Sequence, residues 1–101
     1  MRDLSIMCEL TPAEISAGRA TLLPGLLAQA KEWTALPDGF RWRFAASGEF
    51  LAAAAEMMNT ERQCCRFLRF VLTVEPGGGP VWLEITGPQG TVEFLETLMR
   101  A

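Results

Sequence analysis

The chain has 101 residues, 50% apolar content and a formal net charge of −3. This length suits one domain with one hydrophobic core, so we expect residues 1–101 to form a single domain. A negative net charge opposes the nucleic-acid backbone, and no apolar run approaches the roughly 20 residues of a membrane-spanning helix. We therefore expect neither nucleic acid nor a membrane as a partner.

The cysteines and the N-terminus indicate a reducing compartment. The start Met1-Arg2-Asp3-Leu4 lacks the apolar stretch of a secretory signal, so we expect a cytoplasmic protein. Three cysteines, Cys8, Cys64 and Cys65, are an odd number, and such a compartment keeps thiols reduced. They are better interpreted as thiols or metal ligands than as a disulfide framework.

The first half of the chain predicts a strand, a helix and a hairpin. Apolar residues alternate over residues 4–10, which is typical of a half-buried strand with Cys8 on its core face. A capping box over residues 11–14 begins a helix that continues across Pro24-Gly25 to about residue 31, either kinked or as two short helices. A short strand over residues 31–36, a turn and a strand over residues 40–44 then form a hairpin.

The second half predicts a helix, a second hairpin and a closing helix. Ser47 can cap a helix, and strands over residues 68–75 and 81–86 flank a flexible Pro-Gly connection. An amphipathic helix follows Gly87-Pro88. The buried stripe of the long helix comprises Phe50, Ala54, Met57, Glu61, Cys64 or Cys65, and Leu68.

The order β-α-β-β-α-β-β-α predicts an α+β fold, a two-layer sandwich with helices on one face of a mainly antiparallel sheet. The other sheet face is expected to be solvated, or to meet a partner or second copy through Trp82. Its residues would be Arg41, Arg43, Arg69, Thr73, Glu75, Trp82, Glu84 and Thr86.

The adjacent pair Cys64 and Cys65 concentrates reactive side chains at the end of the long helix. Neighbours on a regular helix point about 100° apart, so a disulfide there would be strained. If the helix frays at residue 63 or 64, the two sulfurs could hold one soft ion such as Hg(II), Cu(I), Zn(II) or As(III). Glu61 could add an oxygen ligand or a proton acceptor, and Cys8 a third sulfur if the first strand lies beside this helix.

Catalysis is less favoured than binding. The sequence has no histidine, which excludes Cys-His catalysis, and no C-x-x-C motif. Nearby arginines favour a thiolate, whereas the C-terminal end of a helix disfavours it. As a structural alternative, Glu61 could be a buried carboxylate held by Arg43, Arg69 or the Trp82 indole.

The segment Glu61-Arg62-x-Cys64-Cys65-x-Phe67, with Trp82-Leu83-x-x-Thr86-Gly87-Pro88 after it, resembles a group of small bacterial proteins of uncharacterised function. The resemblance covers mainly residues 61–88, and Arg66 stands where such proteins often have proline. It implies a small α+β domain with a thiol site.

Two functions remain open. The first is a thiol-containing binding domain that takes a thiophilic metal or metalloid ion at Cys64, Cys65 and Glu61. The alternative is a homodimeric or protein-interaction domain without chemistry, in which the cysteines are core residues.

Overall fold

A computed structural model describes residues 22–100, with Cys64 described in its backbone only. The predicted strand over residues 4–10 and the predicted start of the first helix lie outside these residues. The described elements, in chain order, are α1 (Leu22–Leu27), β1 (Glu32–Leu36), β2 (Gly39–Phe44), α2 (Gly48–Cys64), β3 (Arg69–Val74), β4 (Val81–Thr86) and α3 (Thr91–Met99).

The four described strands form one antiparallel sheet in the order β1-β2-β4-β3. The last strand in sequence therefore lies between the second and the third. Trp42 of β2 lies opposite Leu83 of β4, and Leu83 lies opposite Leu72 of β3, so apolar side chains align in rows across the sheet. The predicted α+β fold with a mainly antiparallel sheet is confirmed.

One face of the sheet forms the core with the helices. Period-2 alternation puts every second residue of β2 and β4 on this face, where α1, α2 and α3 pack. The stripe predicted for the long helix is buried at each of its described positions. The buried residues that the two central strands and the helix stripe place on this face are Phe40, Trp42, Phe44, Val81, Leu83, Ile85, Phe50, Ala54, Met57, Glu61, Cys65 and Leu68.

The opposite face carries charged side chains that pair with one another. The Arg41 guanidinium lies over the Trp82 ring, 3.8 Å from its centroid, and Arg43 Nη2 lies 3.2 Å from Glu32 Oε2. Trp82 is therefore half-covered by an arginine of its own sheet. The exposed aromatic residue is instead Trp33 on the edge strand β1, with 55% of its surface accessible.

The first described helix ends earlier than the sequence predicts. α1 continues across Pro24-Gly25 but ends at Leu27, whereas the pattern predicted an end near residue 31. Its last turn tightens, with the Ala30 amide donating to the Leu27 carbonyl at 3.1 Å. The Lys31 amide then donates to the Arg43 carbonyl at 2.7 Å, which draws the chain into the sheet before the helix can continue.

None of the helices in the described part of the chain is long and apolar enough to cross a membrane.

Candidate functional site

The cysteine pair lies where α2 ends. The Phe50 amide donates to Ser47 Oγ at 3.0 Å and fixes the start of this 17-residue helix. Its last residue is Cys64, and Cys65 has non-helical dihedral angles, φ −117° and ψ 69°. The two cysteines thus lie on either side of the helix end.

A packed turn carries the chain from Cys65 into β3. The Leu68 amide donates to the Cys65 carbonyl at 3.1 Å, which closes the turn. Phe67 lies edge-on to Phe94 of α3, with 5.2 Å between ring centroids. This aromatic contact holds the turn beneath the last helix, so Cys65 is buried with 2% of its surface exposed.

Glu61 and Cys65 are directly bonded in this buried environment. The Cys65 amide donates to the Glu61 carbonyl at 2.6 Å, and the Cys65 thiol donates to the Glu61 carboxylate. Glu61 is 3% exposed and lies on the apolar stripe of α2. The site is therefore a carboxylate and a thiol enclosed between the helices and the sheet.

The partners that the sequence suggested for Glu61 are wrong. Arg43 pairs with Glu32, and the Trp82 ring stacks under Arg41, both on the sheet face that points away from α2. Arg69 lies opposite Thr86 in the register and so belongs to that same face. The i, i+4 spacing of Glu61 and Cys65 on one helical stripe was the signal that identifies the observed partner.

Burial raises the pKa of the Glu61 carboxyl above its ordinary value of 4.5, and the hydrogen bond from Cys65 opposes part of that rise. Between 4.5 and the raised pKa, the folded protein binds more protons at this group than the unfolded chain does. The free energy of unfolding should consequently fall as pH rises through this range. Above this pH range the ionised Glu61 carboxylate lowers the free energy of unfolding of the protein.

Replacing the ionisable group should remove this pH dependence. We expect Glu61→Gln to be more stable than the natural protein at pH 7 and to lose less stability between pH 4.5 and 7, measured by urea unfolding. Glu56→Gln, at an exposed position of the same helix, is the control and should keep the natural slope. Equal slopes for Glu61→Gln and the natural protein would contradict the prediction.

The structure brings two of the three predicted ligands together. Glu61 and Cys65 are in contact, whereas the placement of the Cys64 thiol, like that of Cys8, lies outside what is described. Among the described residues, no group of three or more histidine, cysteine, aspartate or glutamate side chains could hold a metal ion. A metal site with three protein ligands would therefore need the thiol of Cys64 or Cys8 in addition to Glu61 and Cys65.

Sequence reasoning missed two features of the site and its surroundings. The contact of Phe67 with Phe94 joins segments far apart in the chain, and no local pattern indicates it. Trp33 lines a groove of about 360 Å³ together with Leu27 of α1, Trp42 of β2 and Leu98 of α3. The exposure of Trp33 follows from the position of β1 at the edge of the described sheet, which alternation alone does not reveal.

Comparison of the chain with protein-family models, with curated proteins and with solved structures gave no match. The resemblance through the Glu-Arg-x-Cys-Cys-x-Phe segment stays a prediction. The function is therefore argued from the geometry of the site.

Proposed function

We propose that this protein binds a thiophilic metal or metalloid ion through Cys64 and Cys65, with Glu61 at the same site. The observation that carries the proposal is the end of α2, which falls between the two cysteines and leaves the Cys65 thiol on a buried carboxylate.

The end of α2 at Cys64 removes the main geometric argument against such a site. Adjacent side chains on a regular helix diverge by about 100°, which would keep the two sulfurs apart. The backbone dihedral angles at Cys65 are not helical, so the divergence of about 100° in a regular helix does not apply to the side chains of Cys64 and Cys65. Two sulfur donors on consecutive residues are then compatible with one soft ion.

The presence of Glu61 supports a chemical role for the site, because packing alone does not favour a carboxylate at this buried position. Its neighbours on the stripe, Met57 and Ala54, are apolar, and a buried carboxylate carries a desolvation penalty that an apolar side chain avoids. In the proposed site, Glu61 orients the Cys65 sulfur through their hydrogen bond and can supply an oxygen ligand. A role in ion binding would explain why the chain has a carboxylate at residue 61, although this group destabilises the protein without the ion.

Access to the site requires local opening. With 2% of its surface exposed, Cys65 cannot meet an ion until the turn over residues 65–68 moves. Helix ends and turns open far more often than the whole molecule unfolds. The proposed site therefore takes up its ion slowly, and holds it in an environment that excludes water, as suits sequestration or sensing.

The double variant Cys64→Ser with Cys65→Ser tests the proposal. We expect its affinity for Hg(II) to fall by at least about 100-fold, because thiolate sulfur is the donor that such an ion selects. Affinity is measured by competition with a chromophoric chelator, and stoichiometry by native mass spectrometry. Met58→Leu, which removes a sulfur from the same helix, should bind as the natural protein does. Unchanged uptake by the double variant would refute the proposal.

A second candidate is self-association through the edge strand β1. Its exposed Trp33 lies beside the apolar groove, and the outer backbone groups of an edge strand can pair with a second copy of the same strand. This function does not use the cysteines. Sedimentation at increasing protein concentration tests it, and a strict monomer would contradict it.

A further inference from the structure

The border of β1 that faces away from β2 is exposed. β1 is a terminal strand of the described sheet, with β2 as its neighbour there. Residues 32–35 of β1 are all exposed, so none of the described elements covers this border. Such a border presents backbone N–H and C=O groups that can pair with another strand.

A hydrogen bond at the start of β2 fixes the direction of the backbone groups in β1. The Gly87 amide donates to the Asp38 carbonyl at 3.1 Å, so the backbone carbonyl of residue 38 points towards β4. Backbone groups of successive residues point to opposite sides of a strand, so the odd-numbered residues of β2 point towards β1. Their partners in β1 are Glu32, Thr34 and Leu36. Trp33 and Ala35 therefore direct their backbone groups outward.

The residues that flank this pair offer no outward amide. The Lys31 amide donates inward to the Arg43 carbonyl at 2.7 Å, and Pro37 has no amide hydrogen. A second copy of β1 uses all the outward groups of both copies only when Trp33 lies opposite Ala35. A shift of two residues in one direction puts Lys31 opposite Ala35. The opposite shift puts Pro37 opposite Trp33, and either shift leaves an outward carbonyl without a donor.

We propose that two copies of this protein pair through β1, antiparallel about a two-fold axis at Thr34, and so form one continuous sheet. Trp33 of each copy lies opposite Ala35 of the other, and each such pair exchanges both of its N–H···O=C hydrogen bonds. Thr34 lies opposite its own counterpart. The proposal rests on the second candidate function, because it specifies the register of self-association through β1.

The side chains on the core side of the sheet suit this register. Trp33 pairs with the buried Trp42 of β2, so both side chains lie on the face that carries the helices. Ala35 has a small side chain, which leaves room for the exposed indole of the second copy. A two-fold axis perpendicular to the sheet keeps both helical layers on one side. The grooves lined by Trp33, Leu27 and Leu98 of the two copies therefore adjoin across the axis.

The opposite face brings no like charges together in this register. Glu32 lies opposite Leu36 of the second copy, and it keeps its ion pair with Arg43 of its own chain at 3.2 Å. The two Thr34 side chains face each other, and threonine pairs directly opposite one another are favourable between antiparallel strands. The pairing therefore needs no rearrangement of the charged face.

The variant Ala35→Pro tests pairing through β1. The Ala35 amide points away from β2, so proline removes an outward donor without breaking a hydrogen bond of the sheet. We expect the dissociation constant of the dimer, measured by sedimentation equilibrium, to rise at least about 30-fold, because the dimer loses one hydrogen bond at each of its two pairs. Ala35→Ser keeps the amide and a small side chain and should dimerise as the natural protein does. Equal dissociation constants for Ala35→Pro and the natural protein would overturn the proposal.

A cross-link tests the register independently. In a chain whose three native cysteines are serines, Thr34→Cys should form a disulfide-linked dimer on mild oxidation. Residues that face each other at such a non-hydrogen-bonded pair have Cα atoms about 4.5 Å apart, within the range of a disulfide. Glu32→Cys alone should not cross-link, because its counterpart lies roughly 14 Å away along the strand. A mixture of Glu32→Cys and Leu36→Cys chains should cross-link again.

The outcomes separate the register from the function on which it rests. If Ala35→Pro weakens the dimer but Thr34→Cys does not cross-link, pairing through β1 stands and the register is wrong. If the natural protein stays monomeric at high concentration, self-association and the register fail together. Neither result bears on the proposed ion binding, which uses other residues.

Discussion

Gly39→Ala should destabilise the protein by about 3 kcal/mol or more, which would leave little of its native stability. A Cβ atom at residue 39 would overlap the carbonyl oxygen of Ile85 and lie 2.8 Å from Thr86 Cα. Both obstacles are backbone atoms of the central strand β4, which cannot move without breaking its pairing with β2. The substitution therefore acts on the centre of the sheet, although it changes one hydrogen to a methyl group.

Chemical unfolding with urea, followed by circular dichroism, measures the effect. Gly48→Ala is the matched control, because no atom lies within 4 Å of the Cβ it would add at the start of α2. Alanine is also the better helix former, so Gly48→Ala should be neutral or more stable by up to about 1 kcal/mol. Equal urea midpoints of unfolding for Gly39→Ala and Gly48→Ala would contradict the prediction, because they would show that the sheet accommodates a methyl group at residue 39.

Phe67→Ala should lower stability by about 3 to 5 kcal/mol and also expose the Cys65 thiol. The substitution removes the ring that packs on Phe94 and holds the turn after α2. Without this contact the turn opens more often, so reagents reach Cys65 sooner. The variant thus tests whether the packing of Phe67 on Phe94 controls access to the Cys65 thiol.

The rate of thiol labelling in Cys8→Ser with Cys64→Ser reports on Cys65 alone. We expect labelling to be at least about 10-fold faster when Phe67→Ala is added, under conditions in which the protein stays folded by circular dichroism. Phe67→Leu retains most of the apolar volume and should give an intermediate rate. An unchanged rate with Phe67→Ala would mean that access to Cys65 does not pass through this turn.

Local signals in the sequence predicted most of the described fold. Ser47 was identified as a helix cap because its hydroxyl can accept an amide hydrogen bond three residues later, and it does so from Phe50. Alternation predicted β2, β3 and β4, since side chains on successive residues point to opposite faces, whereas β1 was predicted as a short strand before the turn at residues 37–39. The apolar spacing on α2 predicted the buried stripe that includes Glu61 and Cys65.

Non-local features could not be predicted in the same way. The insertion of β4 between β2 and β3 depends on which strands find one another, and alternation is the same for any order. The partner of Glu61 was misassigned because the arginines were placed without knowing that the sheet turns them away from α2. The exposed aromatic residue was expected at Trp82, but Arg41 covers that ring and Trp33 lies at the edge.

The position of β4 has a consequence for synthesis on the ribosome. Until residues 81–86 emerge, the β1–β2 hairpin and the α2–β3 segment have no strand that joins them, because both β2 and β3 pair with β4 in the finished sheet. Each would present an unpaired strand border to other nascent chains. The last fifth of the polypeptide therefore decides whether the earlier parts assemble into one sheet. The end of α2, which carries the cysteines, becomes buried only at that stage.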